Sequence, residues 1–316
     1  MRALVTGANG FVGRRLVRRL AEDGHDVCAG SGPEPHGAAA PEASRTGAIR
    51  WLSLDVTAQE SVDAFLCQGC DALVHLAGMA SAREANQDPA RAWLVNALGT
   101  ARVASGLAAA KRAGRCDPLL VISSSAEVYM PRVNHRHRET DAVGPATPYA
   151  GSKLGAELAG TSAWRDAGLR VVVARPFPHV GAGQAPTFWV ARRARVLLEA
   201  KRRGAPAVTV GDLSAVRDFL HVDDVVDAYV RLLEAGAPGE VYNIASGNPV
   251  TLETVHSTLE SLIGVRPVRE QDAAEIRTDA RPYHVGDASK LRSTTGWAPR
   301  RSLDDALREV VDAQAD

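Results

Sequence analysis

Leu4-Val5-Thr6-Gly7-Ala8-Asn9-Gly10-Phe11-Val12-Gly13 carries an apolar strand into a helix across three glycines. That transition settles the fold class. A strand, a glycine turn and a helix amino terminus present backbone N–H groups and the positive end of a helix dipole to an anion. Gly7 permits the tight turn, Gly10 lets a phosphate approach the main chain, and Gly13 lets helix and strand pack closely. Three scattered glycines also occur in ordinary turns. These sit between Ala3-Leu4-Val5 and Arg14–Leu20, where a dinucleotide pyrophosphate site needs them.

Outward from this turn, strand-like and helix-like stretches alternate. Strands are expected at 2–6, 25–29, 72–76, 118–123, 169–174 and 241–245, and helices at 12–23, 58–67, 90–113, 149–167 and 223–235. The alternation predicts an α/β protein, a Rossmann-like, doubly wound parallel sheet with helices on both faces. Residues 30–47, rich in Gly, Pro, Ala and Ser, read as a mobile loop. From about residue 175 the texture changes, with Pro176, Pro178, Gly181, Gly183 and Pro186 in an irregular segment. The basic helix Phe188–Arg203 comes next, and further helical pieces fall at 251–263 and 302–313. The basic face is either solvated or turned in part towards a substrate phosphate. The expected division is a dinucleotide-binding domain of residues 1–174 and 209–246. A smaller α/β cap of residues 175–208 and 247–316 closes over the carboxyl ends of the strands, where such sheets bind ligands.

A chain of 316 residues with 45% apolar and 23% charged residues is that of a globular protein with a sizeable core. Lys+Arg and Asp+Glu balance at 37 each, so no global field points to nucleic acid or an anionic membrane. No apolar run approaches the roughly 20 residues that span a bilayer. The first strand begins almost at Met1, leaving no room for a signal peptide, so the cytoplasm is expected. Cys67-Gln-Gly-Cys70 has metal or redox spacing but no second pair. Cys28, Cys67, Cys70 and Cys116 read as incidental thiols, and no metal is expected.

Tyr149-Ala-Gly-Ser-Lys153 places a phenol and an ammonium four residues apart, on one face of a helix. A tyrosine with a pKa of about 10 is a poor base at neutral pH. A lysine cation and a positively charged nicotinamide ring beside it favour the phenolate. Upstream, Ser123-Ser124-Ser125 ends a strand, and Ser125 is placed to hydrogen-bond the same substrate oxygen.

With these residues the sequence resembles the extended short-chain dehydrogenase/reductase family, in its nucleotide-sugar epimerase/dehydratase branch, over nearly the whole chain. Thr6–Gly13 resembles the family's cofactor turn, and Leu54-Asp55-Val56 its adenine-contact segment. His75-Leu76-Ala77-Gly78 resembles its strand-end motif, and Asn96–Thr100 a further helix signature. The resemblance implies a catalytic triad of Ser125, Tyr149 and Lys153, with Tyr149 the acid/base and Lys153 also holding the nicotinamide ribose. It implies an NAD(P) cofactor held by Gly7, Asn9, Gly10, Phe11, Val12 and Gly13. Ser31, Asp55, Val56, Leu76, Ala77 and Gly78 complete the cofactor set, with Asn96, Ser123 and Pro176. At the end of the second strand Ser31 stands near the place where NAD enzymes usually carry an acid. A small residue would not repel a 2′-phosphate, which favours NADP(H).

The carboxyl-terminal half is similar to one subgroup, the GDP-4-keto-6-deoxymannose reductases and related dehydratases. The matching runs are 175–184, 210–219 and 239–244. The likeness implies that Arg217 and Arg277 grip a substrate diphosphate, which suits guanidinium chemistry. It also assigns His179, Ser125 and Glu127 to the substrate. Pro178 stands where the family has an asparagine, Ala182 replaces a proline, and Thr278 replaces the proline after the second arginine.

Three reactions share this machinery. A 4-keto-reductase of an NDP-6-deoxy-4-keto-hexose consumes external NADPH. A 4-epimerase or 4,6-dehydratase retains NAD. Glu127, in the place of a dehydratase base, favours elimination, whereas Ala126 replaces the aspartate acid of many dehydratases. The reductase leads. A non-catalytic dinucleotide sensor is the reading from another class, and the intact Tyr149/Lys153 pair argues against it. Helices 90–113 and 149–167 have apolar faces that in similar proteins form a four-helix seam of a homodimer. Arg132–Arg138 reads as a solvated or lid loop, and nucleic acid is not an expected partner.

Overall fold

The computed structural model describes residues 1–32, 48–272 and 282–315. The elements begin β1 (Arg2–Thr6), α1 (Phe11–Glu22), β2 (Asp26–Ser31), β3 (Ile49–Ser53), α2 (Gln59–Leu66) and β4 (Ala72–His75). They continue with α3 (Ala82–Gln87), α4 (Pro89–Ala92), α5 (Gly99–Arg112), β5 (Leu119–Ser123), β6 (Arg136–His137) and α6 (Pro148–Ala167). Then come β7 (Arg170–Pro176), β8 (His179–Val180), α7 (Trp189–Arg203), β9 (Ala207–Val210), β10 (Val216–Asp218), β11 (Leu220–His221) and α8 (Val222–Ala235). The chain closes with β12 (Val241–Ile244), β13 (Pro249–Thr251), α9 (Leu252–Ile263), β14 (Val268–Gln271), β15 (Tyr283–Gly286), α10 (Ser289–Thr295) and α11 (Leu303–Ala315).

Seven strands form one parallel sheet in the order β12-β7-β5-β4-β1-β2-β3. The order reverses at β1, next to the glycine turn, and a ligand crevice opens outside the strand ends at such a switch point. Its central strands read as continuous apolar runs because both faces are covered. One face packs Leu16, Val17 and Leu20 of α1 with Val225, Tyr229 and Leu232 of α8. The other packs Val62 and Phe65 of α2 with Val103 and Leu107 of α5 and Ala156 of α6. The sixteen buried residues of a third core, from Val180 to Val311, join α7, β9, α9 and α11.

Several elements depart from the sequence expectations. The edge strand β3 is not among the expected strands, because Ile-Arg-Trp-Leu-Ser is only half buried and shows no clean alternation. The expected helix 90–113 is α4, a π-helical stretch Trp93–Leu98, and α5 in succession. The expected loop at 132–138 is not simply solvated. Arg136–His137 forms β6, pairs with β15, and buries His137 completely. Within residues 209–246, placed by the sequence in the dinucleotide-binding domain, β12 joins the large sheet and α8 packs against it. The strands β9, β10 and β11 pair instead with β14, with β13 and β15, and with β8. Most of the expected loop 30–47 lies outside the described residues.

Candidate active site

The turn after β1 is built by backbone. Gly7 has φ +65°, and a Cβ there would lie 2.7 Å from the Ala77 nitrogen. A Cβ on Gly13 would stand 2.1 Å from the Gly7 oxygen. Thr6 Oγ1 accepts from the Ala77 N–H at 3.1 Å and contacts His75 Nδ1 at 2.8 Å, tying the ends of β1 and β4 together. No side chain caps α1 at Gly10 and no acid occupies its first turn. The helix-start N–H groups therefore face the crevice without a competing carboxylate.

A cleft of about 2060 Å³ runs along the carboxyl ends of the strands. That is about twice the upper volume of an ordinary small-ligand pocket, near 1,000 Å³, and accommodates two ligands side by side. At the glycine turn, Gly7, Asn9, Gly10, Phe11, Val12 and Gly13 line it. Asp55 and Val56 line it after β3, and Leu76, Ala77 and Gly78 after β4. Ser123 and Pro176 line it at the ends of β5 and β7. These residues fit an NAD(P) dinucleotide, pyrophosphate on the turn. Two expected contacts are placed differently. Ser31 ends β2 beside Ser53, and its neighbour Gly32 is the residue that lines the cleft. Asn96 lies behind the wall, buried, accepting the Met79 N–H at 2.7 Å and donating to Ser152 Oγ at 2.8 Å. It shapes the strand-end loop.

The structure brings Ser125, Glu127, Tyr149 and Lys153 together on the cleft. Thr147 caps α6 by accepting from the Ala150 N–H at 3.1 Å, with Pro148 in the first turn. This start sets Tyr149 at the mouth of the helix and Lys153 one turn deeper. Ser125 Oγ accepts the Glu127 N–H at 3.1 Å and hydrogen-bonds the Tyr149 phenol. Lys153 Nζ donates to the Ser123 carbonyl at 2.8 Å. Burial pushes the Tyr149 phenol above its ordinary value, the Glu127 charge adds to this, and the Ser125 hydrogen bond opposes both. Lys153 is not among the groups that shift the phenol in the chain by itself, where its ammonium is held on the Ser123 carbonyl. Burial also lowers Lys153 itself to about 8, against an opposing pull from Glu157.

His179 and Arg217 also line the cleft, His179 against Phe11 of the glycine turn. The His179 ring stacks on Phe11 with centroids 6.0 Å apart, and Nδ1 lies 3.1 Å from the Phe177 carbonyl. Burial lowers its imidazole below the usual range. Arg217 Nη1 donates to its neighbour's carbonyl, Val216 O, at 2.9 Å. Asp218 does not pair with it. That carboxylate is buried among the backbone N–H groups of Ser246, Gly247 and Gly286. Arg277 and Thr278 lie outside the described residues. Arg192, Trp189, Phe219 and His284 line the cleft as well. Of the basic helix, Arg192 turns to the cleft, whereas Arg193 donates to Thr209 O at 2.5 Å and Arg195 bonds Glu199 at 3.0 Å. The basic run carried that signal, although nothing in it singled out Arg192. Cys67 is exposed and Cys70 buried, its thiol pushed up to about 12 by burial, far from a reactive pair.

A dinucleotide turn at the switch point of a parallel sheet, with Ser, Tyr and Lys gathered below it, defines a class of NAD(P)-dependent enzymes. The chain belongs to the NAD dependent epimerase/dehydratase family, whose profile matches residues 3–245. It is 36% identical over 317 residues to the GDP-6-deoxy-D-mannose reductase of Pseudomonas aeruginosa, covering 98% of this chain and 96% of that one. It is 28% identical to the UDP-glucose 4-epimerase of Mycolicibacterium smegmatis, covering 99% and 98% of the two chains. The solved structure of RMD from Pseudomonas aeruginosa complexed with NADPH superposes with a TM-score of 0.81 at 31% identity, over 99% and 98% of the chains.

Proposed function

We propose that this protein is an NADPH-dependent 4-keto-reductase of an NDP-6-deoxy-4-keto-hexose. The carrying observation is the near-full-length similarity to GDP-6-deoxy-D-mannose reductase, with Ser125, Tyr149 and Lys153 gathered on one cleft. When bound, the cofactor supplies the hydride that reduces sugar C4. The chain supplies the proton. Tyr149 gives its phenolic proton to the oxygen on C4, Ser125 holds that oxygen, and the Lys153 ammonium stabilises the phenolate left behind. Carbon gains a hydride, oxygen gains a proton, and a hydroxyl results. Burial keeps Tyr149 protonated, the state from which a reduction begins.

Arg217, with His179 and Glu127, is assigned to the sugar nucleotide, and Arg277 by resemblance to its diphosphate. The glycine turn, Asp55, Val56, Leu76–Gly78, Ser123 and Pro176 are assigned to the cofactor. The substrate-binding part is taken as residues 175–221 and 247–316, because β9–β11 pair with cap strands. Among the described residues no helix is long and apolar enough to cross a membrane, and the cytoplasm is the assigned compartment. The homodimer seam is assigned to the helices around Trp93, Leu98 and Leu158, which are 48%, 45% and 61% exposed.

The second reading is an epimerase or 4,6-dehydratase with retained NAD, favoured by Glu127, whose charge acts on Tyr149. The test is cofactor release on denaturation, followed by NADPH oxidation with GDP-, UDP- and dTDP-linked 4-keto-6-deoxy sugars. The reductase is purified with little dinucleotide and oxidises NADPH only when keto-sugar is added. Stoichiometric tightly held NAD with no net NADPH consumption replaces it by the second reading.

A further inference from the structure

The three consecutive serines Ser123–Ser125, the first of which ends β5, face three different partners. Ser125 meets Tyr149, and the Ser123 carbonyl meets Lys153. Ser124 Oγ donates to Glu157 Oε1 at 2.5 Å. Glu157 lies on α6 one turn beyond Lys153, and the two are only 5% and 6% exposed. Its carboxylate also takes Arg175 from β7 in bidentate fashion, at 2.9 Å from Nε and 2.7 Å from Nη2. Arg175 lies 4.7 Å over the Tyr129 ring, and the Tyr129 hydroxyl donates to Asn243 at 2.7 Å. A buried carboxylate–guanidinium pair contributes little net stability, because desolvation offsets its attraction. Its place, one turn from a buried ammonium on the active-site helix, calls for another account.

We propose that Glu157 is a positioning residue for the proton transfer, its carboxylate holding Lys153 charged on the Ser123 carbonyl while Arg175 and Ser124 hold the carboxylate. The inference rests on the catalytic roles proposed for Tyr149 and Lys153. The groups that face the ammonium come from every neighbouring element. From α6 come Tyr149 and Glu157, and from β5 the Ser123 carbonyl. His75 on β4 is pushed down to about 3 by burial and by Lys153, so it is neutral at working pH. Asn96 and Gly78 close the other side, and the amide is uncharged. Tyr229 reaches Ser123 from α8 and Glu127 acts on Tyr149, but neither phenol ionises near neutrality. Among the described residues, Glu157 is the carboxylate that counters the burial of Lys153.

The chain has four lysines, Lys111, Lys153, Lys201 and Lys290, so carbon-13 NMR of ε-labelled lysine tracks each titration without any substrate. In Glu157→Gln, which keeps the side chain's size and an acceptor for Ser124, the Lys153 midpoint falls from about 8 by about one pH unit. Glu157→Asp, which returns the charge, recovers most of that fall. Because Glu157→Gln leaves a buried guanidinium uncompensated, the double variant Glu157→Gln/Arg175→Met is measured beside it, and its Lys153 midpoint falls in the same direction by less, since a neighbouring cation leaves with the anion. The alkaline limb of turnover moves with the NMR midpoint. A Lys153 midpoint within about 0.3 pH unit of wild type in the folded variant overturns the proposal. So does a limb that stays in place while the lysine moves. A wild-type protein that reduces no keto-sugar, yet whose lysine shifts as stated, overturns the assigned reaction and leaves the electrostatic role standing.

Discussion

The glycine turn and the arginine-bearing wall of the cleft are each suited to phosphate, by opposite means. The turn uses main chain: a helix start without a side-chain cap, and positions where any Cβ collides with backbone at 2.1 to 2.7 Å. The wall uses long side chains, Arg217 from β10 and Arg192 from α7, a helix whose core is separate from the large sheet's. Backbone donors are rigid and indifferent to the group attached beyond the phosphate. Guanidinium groups on a separate core can be repositioned by small changes in packing. On the proposed function, the main-chain turn holds the cofactor and the side-chain wall is the part that selects the sugar nucleotide.

The comparison can be broken at either end or at its centre. The largest effect is expected at the centre. Tyr149→Phe removes the proton donor, and turnover falls by roughly 10²–10⁴-fold, while NADPH affinity by fluorescence titration stays near wild type. Next comes the backbone end. Gly7→Ala forces a side chain onto φ +65° against the Ala77 nitrogen 2.7 Å away. Strain of about 1–3 kcal/mol weakens NADPH roughly ten- to a hundredfold by calorimetry. The smallest belongs to the wall. Arg217→Met raises KM for the sugar nucleotide about tenfold and leaves the NADPH dissociation constant unchanged, the loss of one charge-assisted hydrogen bond. Equal weakening of both ligands by Arg217→Met would erase the contrast between the two ends.

How much of this was legible differs along the chain for identifiable reasons. The turn was legible because Gly7, Gly10 and Gly13 lie within seven residues, and their spacing alone states what the backbone must do. Tyr149 and Lys153 were legible because four residues is one helical turn. Their company was not. Glu157, Arg175 and Ser124 meet only because α6, β7 and β5 are neighbours in the sheet layer. Arg192 looked no different from Arg193, Arg195 or Arg202, since which face of α7 meets the cleft depends on how the third core packs. The half-buried β3 and the two-residue β6 left too few residues for a period to show.

By itself the sequence determined the sheet class, the dinucleotide turn and the phenol–ammonium pair, because each is encoded by residues close together, whose spacing translates directly into geometry. The tertiary structure alone decided the environment that shifts that pair and which side chains line the rest of the cleft. The environment of Tyr149 and Lys153 comes from burial and from charges on other elements. Desolvation is a property of the packed molecule, and no local stretch of sequence contains it.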